Sequence, residues 1–279
     1  MIRPFSQVNV FSADPLLGNP VAVVLDATDL SDDTMLRFAQ WTNLSETTFI
    51  LPPTQPEADY YLRIFTPGGE LPFAGHPTLG SAHAWLEAGG IPQHRGWVTQ
   101  QCGAGLVNVR LGATLAFAAP PTTRSGPLDE TLLLGLAAGL RIPRDSIIDH
   151  QWVVNGPNWV CVRLDSADEV LALEPNITAL EELRLDIGVI GFYPPGSQFT
   201  YETRAFALDA GVVEDPVTGS LNASIAQWLH RISAVPTSYL VSQGKRVGRA
   251  GHIHIDIDPD NTVWVGGTTT TAIRGLVEL

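Results

Sequence analysis

The sequence predicts a mixed α/β fold built from two similar halves. Strand-like and helical segments alternate along all 279 residues. Two loop–helix units, at residues 63–86 and 203–229, share an Arg-x-Phe strand end, a glycine-containing loop and an x-Pro-x-x-Gly-Ser motif before a helix of small residues. We interpret the units as an internal duplication in which His76 aligns with Asp215, because a repeat of this length lies outside the short-period solenoids. The alternative is two unrelated helices that each begin near a proline.

The first half is predicted from its pattern of β-branched, apolar and turn residues. Ser31 or Asp32 provides an N-cap for the first helix, and Gly89-Gly90 provides a stop for the second. A loop rich in Gly and Pro, at 66–77, precedes the second helix. The predicted strands are 8–11, 21–25, 47–51, 60–65, 96–101, 106–111 and 114–118, and the predicted helices are 32–41 and 78–87.

The second half follows a linker at residues 120–126, which is rich in Pro, Thr and Gly. A second loop, at 209–217, precedes its main helix. The predicted helices are 128–138, 167–173, 177–183 and 218–232, and the predicted strands are 151–155, 159–164, 187–193, 201–207, 252–257, 262–265 and 268–278.

The composition excludes several classes of function. A net charge of −13 disfavours nucleic acid and anionic membrane surfaces as partners. No apolar run approaches the roughly 20 residues of a membrane-spanning helix, and no signal peptide is recognisable, so we expect a cytoplasmic protein. Lys245 is the only lysine and lies in a turn-like segment, which argues against a Schiff-base enzyme. Only 16% of residues are charged, against about 25% on average, which favours an oligomer.

Glu46 is the first candidate catalytic residue. Asn43 and Glu46 have the spacing of a capping box, but the β-branched segment after them predicts a strand and not a helix. Glu46 then lies at a helix–strand junction beside apolar residues, where desolvation favours a general acid–base role. The alternative is a solvated turn.

His76 and Asp215 are further candidates because each lies beside a proline near a predicted helix start. Helix N-termini present N–H groups suited to an anion, and Gly75, Gly219 and Ser220 would supply such groups. The alternative for His76 is an ordinary surface histidine in a loop.

Four motifs resemble the family of phenazine-biosynthesis PhzF isomerases. They are Gly-Asn-Pro-Val-Ala-Val at 18–23, Asn-Leu-Ser-Glu-Thr-Thr-Phe at 43–49, Glu-Leu-Pro-Phe-Ala-Gly-His-Pro-Thr-Leu-Gly at 70–80 and Glu-Asp-Pro-Val-Thr-Gly-Ser at 214–220. The resemblance extends from about residue 6 to the C-terminus. It implies a diaminopimelate-epimerase-like fold with two pseudo-symmetric halves, each a curved, mostly antiparallel sheet around a central helix. It also implies a homodimer without a metal or organic cofactor.

The resemblance further implies how residues are divided and used. The N-terminal half would be 1–119 with the final strand, about 268–279, and the C-terminal half 120–267. Glu46 would move a proton between carbons of a small carboxylic acid in the cleft between the halves, assisted by His76 and Asp215. Gly75, Gly219 and Ser220 would hold the acid.

Epimerase relatives use two cysteines at the helix starts, whereas this chain places Ala74 and Glu214-Asp215 near those points. A two-thiol racemase is therefore not expected. Two other functions stay open: epimerisation of a related acid in the same cleft, and binding of a small acid without catalysis.

Overall fold

The computed structural model describes residues 1–209 and 211–279, and it confirms a mixed α/β fold. Part of the predicted loop at 209–217 therefore lies outside the described residues. The helices are α1 Asp32–Thr42, α2 Gly75–Glu87, α3 Glu130–Leu140, α4 Ala167–Ala172, α5 Ile177–Glu181 and α6 Gly219–Arg231. The strands are β1 Ile2–Val10, β2 Asn19–Val24, β3 Thr47–Leu51, β4 Tyr60–Thr66, β5 Gly69–Leu71, β6 Trp97–Cys102, β7 Gly105–Arg110, β8 Leu115–Ala118, β9 Arg124–Gly126, β10 Asp149–Val154, β11 Trp159–Leu164, β12 Asp186–Phe192, β13 Tyr201–Phe206, β14 Ser238–Gln243, β15 Gly251–Ile257, β16 Val263–Gly267 and β17 Thr269–Glu278.

The chain divides into two compact units. Unit 1 comprises Met1–Ala118 and Gly266–Leu279, and unit 2 comprises Ala119–Val265. The last strand, β17, belongs to unit 1 and pairs antiparallel with β1, with Ile2 opposite Glu278. Among the described residues, no helix has both the length and the apolar composition needed to cross a membrane.

The two units repeat one pattern of strand pairing. In unit 1, β1–β2 is antiparallel, β2–β3 parallel, β3–β4 antiparallel, β4–β6 parallel and β6–β7 antiparallel. In unit 2, the pairs β10–β11, β11–β12, β12–β13, β13–β14 and β14–β15 follow with the same sequence of directions. A shared order of five pairings supports an internal duplication.

Each unit contains one long helix that is mostly buried. Helix α2 packs against β1, β2, β3, β4, β6, β7, β8 and β17, and its first eight residues are all buried. Gly80 makes this close approach possible, because an added Cβ would lie 2.3 Å from Val21 Cγ1. Helix α6 packs against β10 and β15 and is similarly buried along its length.

The structure corrects the alignment of the two repeats. Arg63 forms a two-pronged ion pair with Glu70, and Arg204 forms the same pair with Glu214. The next prolines also match, because Gly103 lies against Pro72 and Gly244 against Pro216. The motif that repeats is therefore Glu-x-Pro-x-x-Gly, and it runs from 70 to 75 and from 214 to 219.

This corrected alignment changes the partner of each candidate residue. Gly75 now matches Gly219, where both helices begin, and His76 matches Ser220. The predicted match of His76 with Asp215 is wrong, because Asp215 lies four residues before its helix and corresponds to Leu71. The error came from Pro77, which lies inside the first turn of α2, where a proline costs no hydrogen bond.

Candidate functional site

Glu46 lies between the end of α1 and the start of β3. Helix α1 ends at Thr42, and Asn43 takes a left-handed conformation with φ 54°. Strand β3 then begins at Thr47, as the sequence predicted, so a capping box is not formed. The Glu46 side chain is only 15% exposed, which contradicts the alternative of a solvated turn.

His76 is the second residue of α2 and is buried. The N-cap residue, Ala74, has no side chain that could cap the helix. The helix begins three residues earlier than predicted, so His76 lies within the helix and not in the preceding loop. The alternative of a surface histidine is therefore wrong.

The structure brings Glu46 and His76 together in unit 1. Glu46 Oε2 lies 3.2 Å from His76 Nε2. Burial lowers the pKa of His76 to about 3, and a hydrogen bond to the backbone of Pro20 opposes this effect only in part. The ring is therefore neutral near pH 7, and the contact joins a carboxyl group to a neutral imidazole although its distance is that of an ion pair.

A buried hydrogen bond fixes the strand that follows Glu46 against the helix that carries His76. Thr48 Oγ1 lies 2.9 Å from Ser81 Oγ and donates to the backbone oxygen of Ala22 at 3.2 Å. Thr48 and Ser81 are both fully buried. Because β3 and α2 are joined here, the main-chain positions of Glu46 and His76 are coupled.

Asp215 belongs to a tight turn before α6 in unit 2. Its backbone N–H donates to the oxygen of Ala205 at 2.8 Å, which ties the turn to β13. Its Oδ2 accepts a 2.6 Å hydrogen bond from Thr218 Oγ1. Thr218 is the N-cap residue of α6, so the two helix-start positions are Ala74 and Thr218, and neither is a cysteine. Glu214-Asp215 was predicted to lie near the second helix start, and the structure places Thr218 there.

Gly219 and Ser220 form the first turn of α6. The Ser220 hydroxyl accepts a hydrogen bond from Trp159 Nε1 at 3.2 Å, and its backbone oxygen accepts one from Asn155 Nδ2 at 3.0 Å. Ser220 is partly exposed, whereas Gly219 is buried. The indole N–H occupies a lone pair of Ser220, which leaves the hydroxyl hydrogen able to donate to a ligand.

Sequence reasoning did not identify several residues that hold these groups. They are Thr48 and Ser81 in unit 1, and Trp159, Thr218 and Gln243 in unit 2. Gln243 carried one detectable signal, a polar residue at the end of an apolar segment, but the strand itself was not predicted.

The comparison with protein families identifies the chain's relatives. The profile of the PhzC-PhzF family, described as phenazine biosynthesis-like protein, matches residues 8–275. The chain is 36% identical over 288 residues to "Antisense-enhancing sequence 1" of Schizosaccharomyces pombe, covering 97% of each chain. It is 35% identical over 258 residues to trans-2,3-dihydro-3-hydroxyanthranilate isomerase of Pseudomonas aeruginosa, covering 88% of this chain and 87% of that protein.

Solved structures confirm the predicted fold class. A PhzF-family protein of Bacillus anthracis matches with a TM-score of 0.84 at 22% identity, over 100% of both chains. A hydroxyproline epimerase of Agrobacterium vitis matches with a TM-score of 0.61 at 14% identity, covering 99% of this chain and 91% of that one. At these identities the matches establish the fold alone.

Proposed function

The chain belongs to the PhzC-PhzF family and is an isomerase, and we propose that it moves a proton between carbons of a small carboxylic acid, with Glu46 as the general acid and base. The contact between Glu46 and His76 is the observation that carries the proposal. It places a mostly buried carboxyl group beside a neutral ring, with Glu46 Oε2 3.2 Å from His76 Nε2.

The neutral ring suits this reaction better than a charged one. An imidazolium would hold the Glu46 carboxylate in an ion pair and weaken it as a base. Pro20 has no backbone N–H, so the neutral ring donates its one hydrogen to the Pro20 oxygen, and the nitrogen that faces Glu46 can only accept. His76 therefore supports the protonated form of Glu46 that follows removal of the substrate proton.

The proposed reaction is balanced without any other reactant. Glu46 takes a proton from an activated carbon, the double bond moves, and the same carboxyl group returns a proton to another carbon. The product has the same formula and overall oxidation state as the substrate, so the step requires no redox cofactor. Proton transfer by a positioned group typically contributes about 10²–10⁴-fold to the rate.

Asp215, Gly219 and Ser220 of unit 2 are proposed to bind the same acid. Asp215 would hydrogen-bond a polar group of the substrate, and the N–H groups at the start of α6 would hold its carboxylate. Gly75 would serve in the same way at the start of α2. The predicted cleft between the halves stays part of this proposal and rests on the family resemblance.

The substrate class is inferred from the relatives. Proteins 35–36% identical to this chain are named trans-2,3-dihydro-3-hydroxyanthranilate isomerase, so we propose a cyclic, amino-substituted dihydro acid of that kind. The test is to incubate the protein with trans-2,3-dihydro-3-hydroxyanthranilate in heavy water. The expected result is an isomer with a shifted double bond and deuterium at the newly protonated carbon.

Other results of this experiment contradict the proposal in different ways. Deuterium with inverted configuration and unmoved double bonds indicates an epimerase. Saturable binding without deuterium uptake indicates a binding protein. If the protein shows neither binding of the acid nor deuterium exchange, this substrate class is excluded.

We further propose that the protein acts in the cytoplasm as a homodimer. Large apolar side chains such as Trp41 (80% exposed) and Leu276 (71% exposed) support association, because a second copy would remove such surface from water. Light scattering on purified protein should give twice the 30.0 kDa chain mass. A monomer at micromolar concentration would contradict this proposal.

A further inference from the structure

Gln243 makes an unusually complete set of hydrogen bonds to the turn that carries Asp215. Its side chain is fully buried at the end of β14. Its Oε1 accepts from the backbone N–H of Thr218 at 3.0 Å and from Asn222 Nδ2 at 2.8 Å. Its Nε2 donates to the backbone oxygen of Asp215 at 3.0 Å and to Thr218 Oγ1 at 2.9 Å.

These bonds determine where the Thr218 hydroxyl points its hydrogen. A hydroxyl has one hydrogen to donate and two lone pairs that accept. Thr218 Oγ1 accepts from Gln243 Nε2, and it donates to Asp215 Oδ2 at 2.6 Å. The amide group of Gln243 therefore directs the Thr218 hydrogen onto the Asp215 carboxylate and holds the Asp215 main chain at the same time.

The other repeat lacks both ends of this chain of hydrogen bonds. Gly103 and Gly244 occupy matching places against Pro72 and Pro216, so the residue before each glycine also matches. That residue is Gln243 in unit 2 and Cys102 in unit 1. The turn of unit 1 correspondingly has Leu71 where unit 2 has Asp215. The glutamine thus occurs in the repeat that has Asp215 to orient, and a cysteine occurs in the repeat that has Leu71 at that position.

We propose that Gln243 is a positioning residue for the isomerase reaction, which it serves by orienting the Asp215 carboxylate through the Thr218 hydroxyl. The inference rests on the proposed function, because it takes Asp215 to be a substrate-binding group. Gln243 itself touches no reacting atom. Its loss should lower kcat, because the carboxylate would no longer be held in the productive geometry.

The test combines Gln243→Leu, Thr218→Val and the double variant, assayed with trans-2,3-dihydro-3-hydroxyanthranilate. Each single change should lower kcat roughly 10- to 100-fold, with a smaller change in KM. The double variant should be within about twofold of the worse single variant, because both changes interrupt one chain of bonds. Thr218→Ser, which keeps the hydroxyl, should retain most activity. Multiplicative losses, or a Gln243→Leu enzyme within about twofold of wild type, would overturn the proposal.

A matched control separates positioning from general damage. Gln101 is also buried, and its side chain makes three hydrogen bonds to Thr54 and Gln55, outside the candidate site. Gln101→Leu should lower the melting temperature while leaving kcat within about twofold of wild type. An equal loss of kcat in Gln101→Leu would show that lost stability explains the effect.

A crystal structure distinguishes failure of this inference from failure of the proposed function. In Gln243→Leu the Asp215 carboxylate should move by roughly 1 Å or more relative to the wild-type crystal, a displacement large enough to affect catalysis. An unmoved carboxylate refutes positioning whatever the activity. If the carboxylate is displaced in Gln243→Leu but the wild-type protein does not convert the acid, the proposed function is refuted and the role of Gln243 in orienting Asp215 is supported.

Discussion

Replacement of His76 should change how the stability of the protein depends on pH. Burial lowers the pKa of His76 from 6.5 to about 3, so the ring stays neutral in the folded protein while it takes up a proton in the unfolded chain. Between these two pKa values the unfolded state binds more protons than the folded state. The contribution of His76 to the free energy of unfolding is therefore fully present above about pH 6.5 and is lost progressively as the pH falls toward 3.

The size of this effect follows from the difference between the two pKa values. Each pH unit between them is worth about 1.36 kcal/mol. A change from pH 7.5 to pH 4.5 crosses about two such units, since the first step from 7.5 to 6.5 contributes little. The His76 contribution to the free energy of unfolding should thus fall by about 2.5 kcal/mol over this range.

The assay is urea unfolding of wild type and His76→Gln at several pH values from 4.5 to 7.5. Titrating groups remote from His76 contribute alike to both proteins, so the informative quantity is the difference between the two curves. That difference should change by about 2.5 kcal/mol across the range, with wild type losing more stability in acid. His94→Gln, at an exposed histidine, is the matched control and should parallel wild type. Parallel curves for wild type and His76→Gln would refute the reasoning, because they would show that the buried ring accepts a proton as readily as it does in the unfolded chain.

Three further outcomes follow from packing and ion pairing. Glu214→Ala should cost about 3–5 kcal/mol, because it leaves a buried arginine without its partner, and urea unfolding measures this. The matching change in the other repeat, Glu70→Ala, should cost only about 1 kcal/mol, because the pair is more exposed and Arg63 keeps a second carboxylate partner, Asp32. Equal costs would contradict the comparison. Gly80→Ala should cost about 1–3 kcal/mol, since its Cβ would lie 2.3 Å from Val21, whereas Gly275→Ala meets open space and should change stability by less than about 0.5 kcal/mol in thermal unfolding.

Much of the fold could be predicted because its strands are apolar or alternating and its helices have clear ends. Ser31 accepts from the backbone N–H of Thr34, as expected of the predicted N-cap. Strand β15, predicted at 252–257, has alternating polar and isoleucine residues, and Ile253 and Ile255 are fully buried while His254 between them is exposed. The three-residue strands β5 and β9 were missed because they exist only through pairing with β4 and β10. No local pattern of three residues specifies such a pairing.

The candidate site was predictable only in part, for a physical reason. The junction that holds Glu46 follows from local sequence, since a β-branched run favours a strand over a continued helix. Its 3.2 Å contact with His76 depends on how α2 packs, which no spacing in the sequence encodes. Gln243 was missed because its partners lie 21 to 28 residues away along the chain and are reached only through β14.

The role of Glu46 can be measured directly with Glu46→Gln. The amide keeps the shape of the side chain but cannot accept and return a proton in the same way. We predict that this variant binds trans-2,3-dihydro-3-hydroxyanthranilate within a few-fold of the wild-type affinity and loses about 10²–10⁴-fold in the rate of deuterium incorporation. A Glu46→Gln protein that binds the acid and exchanges deuterium at the wild-type rate would contradict the account.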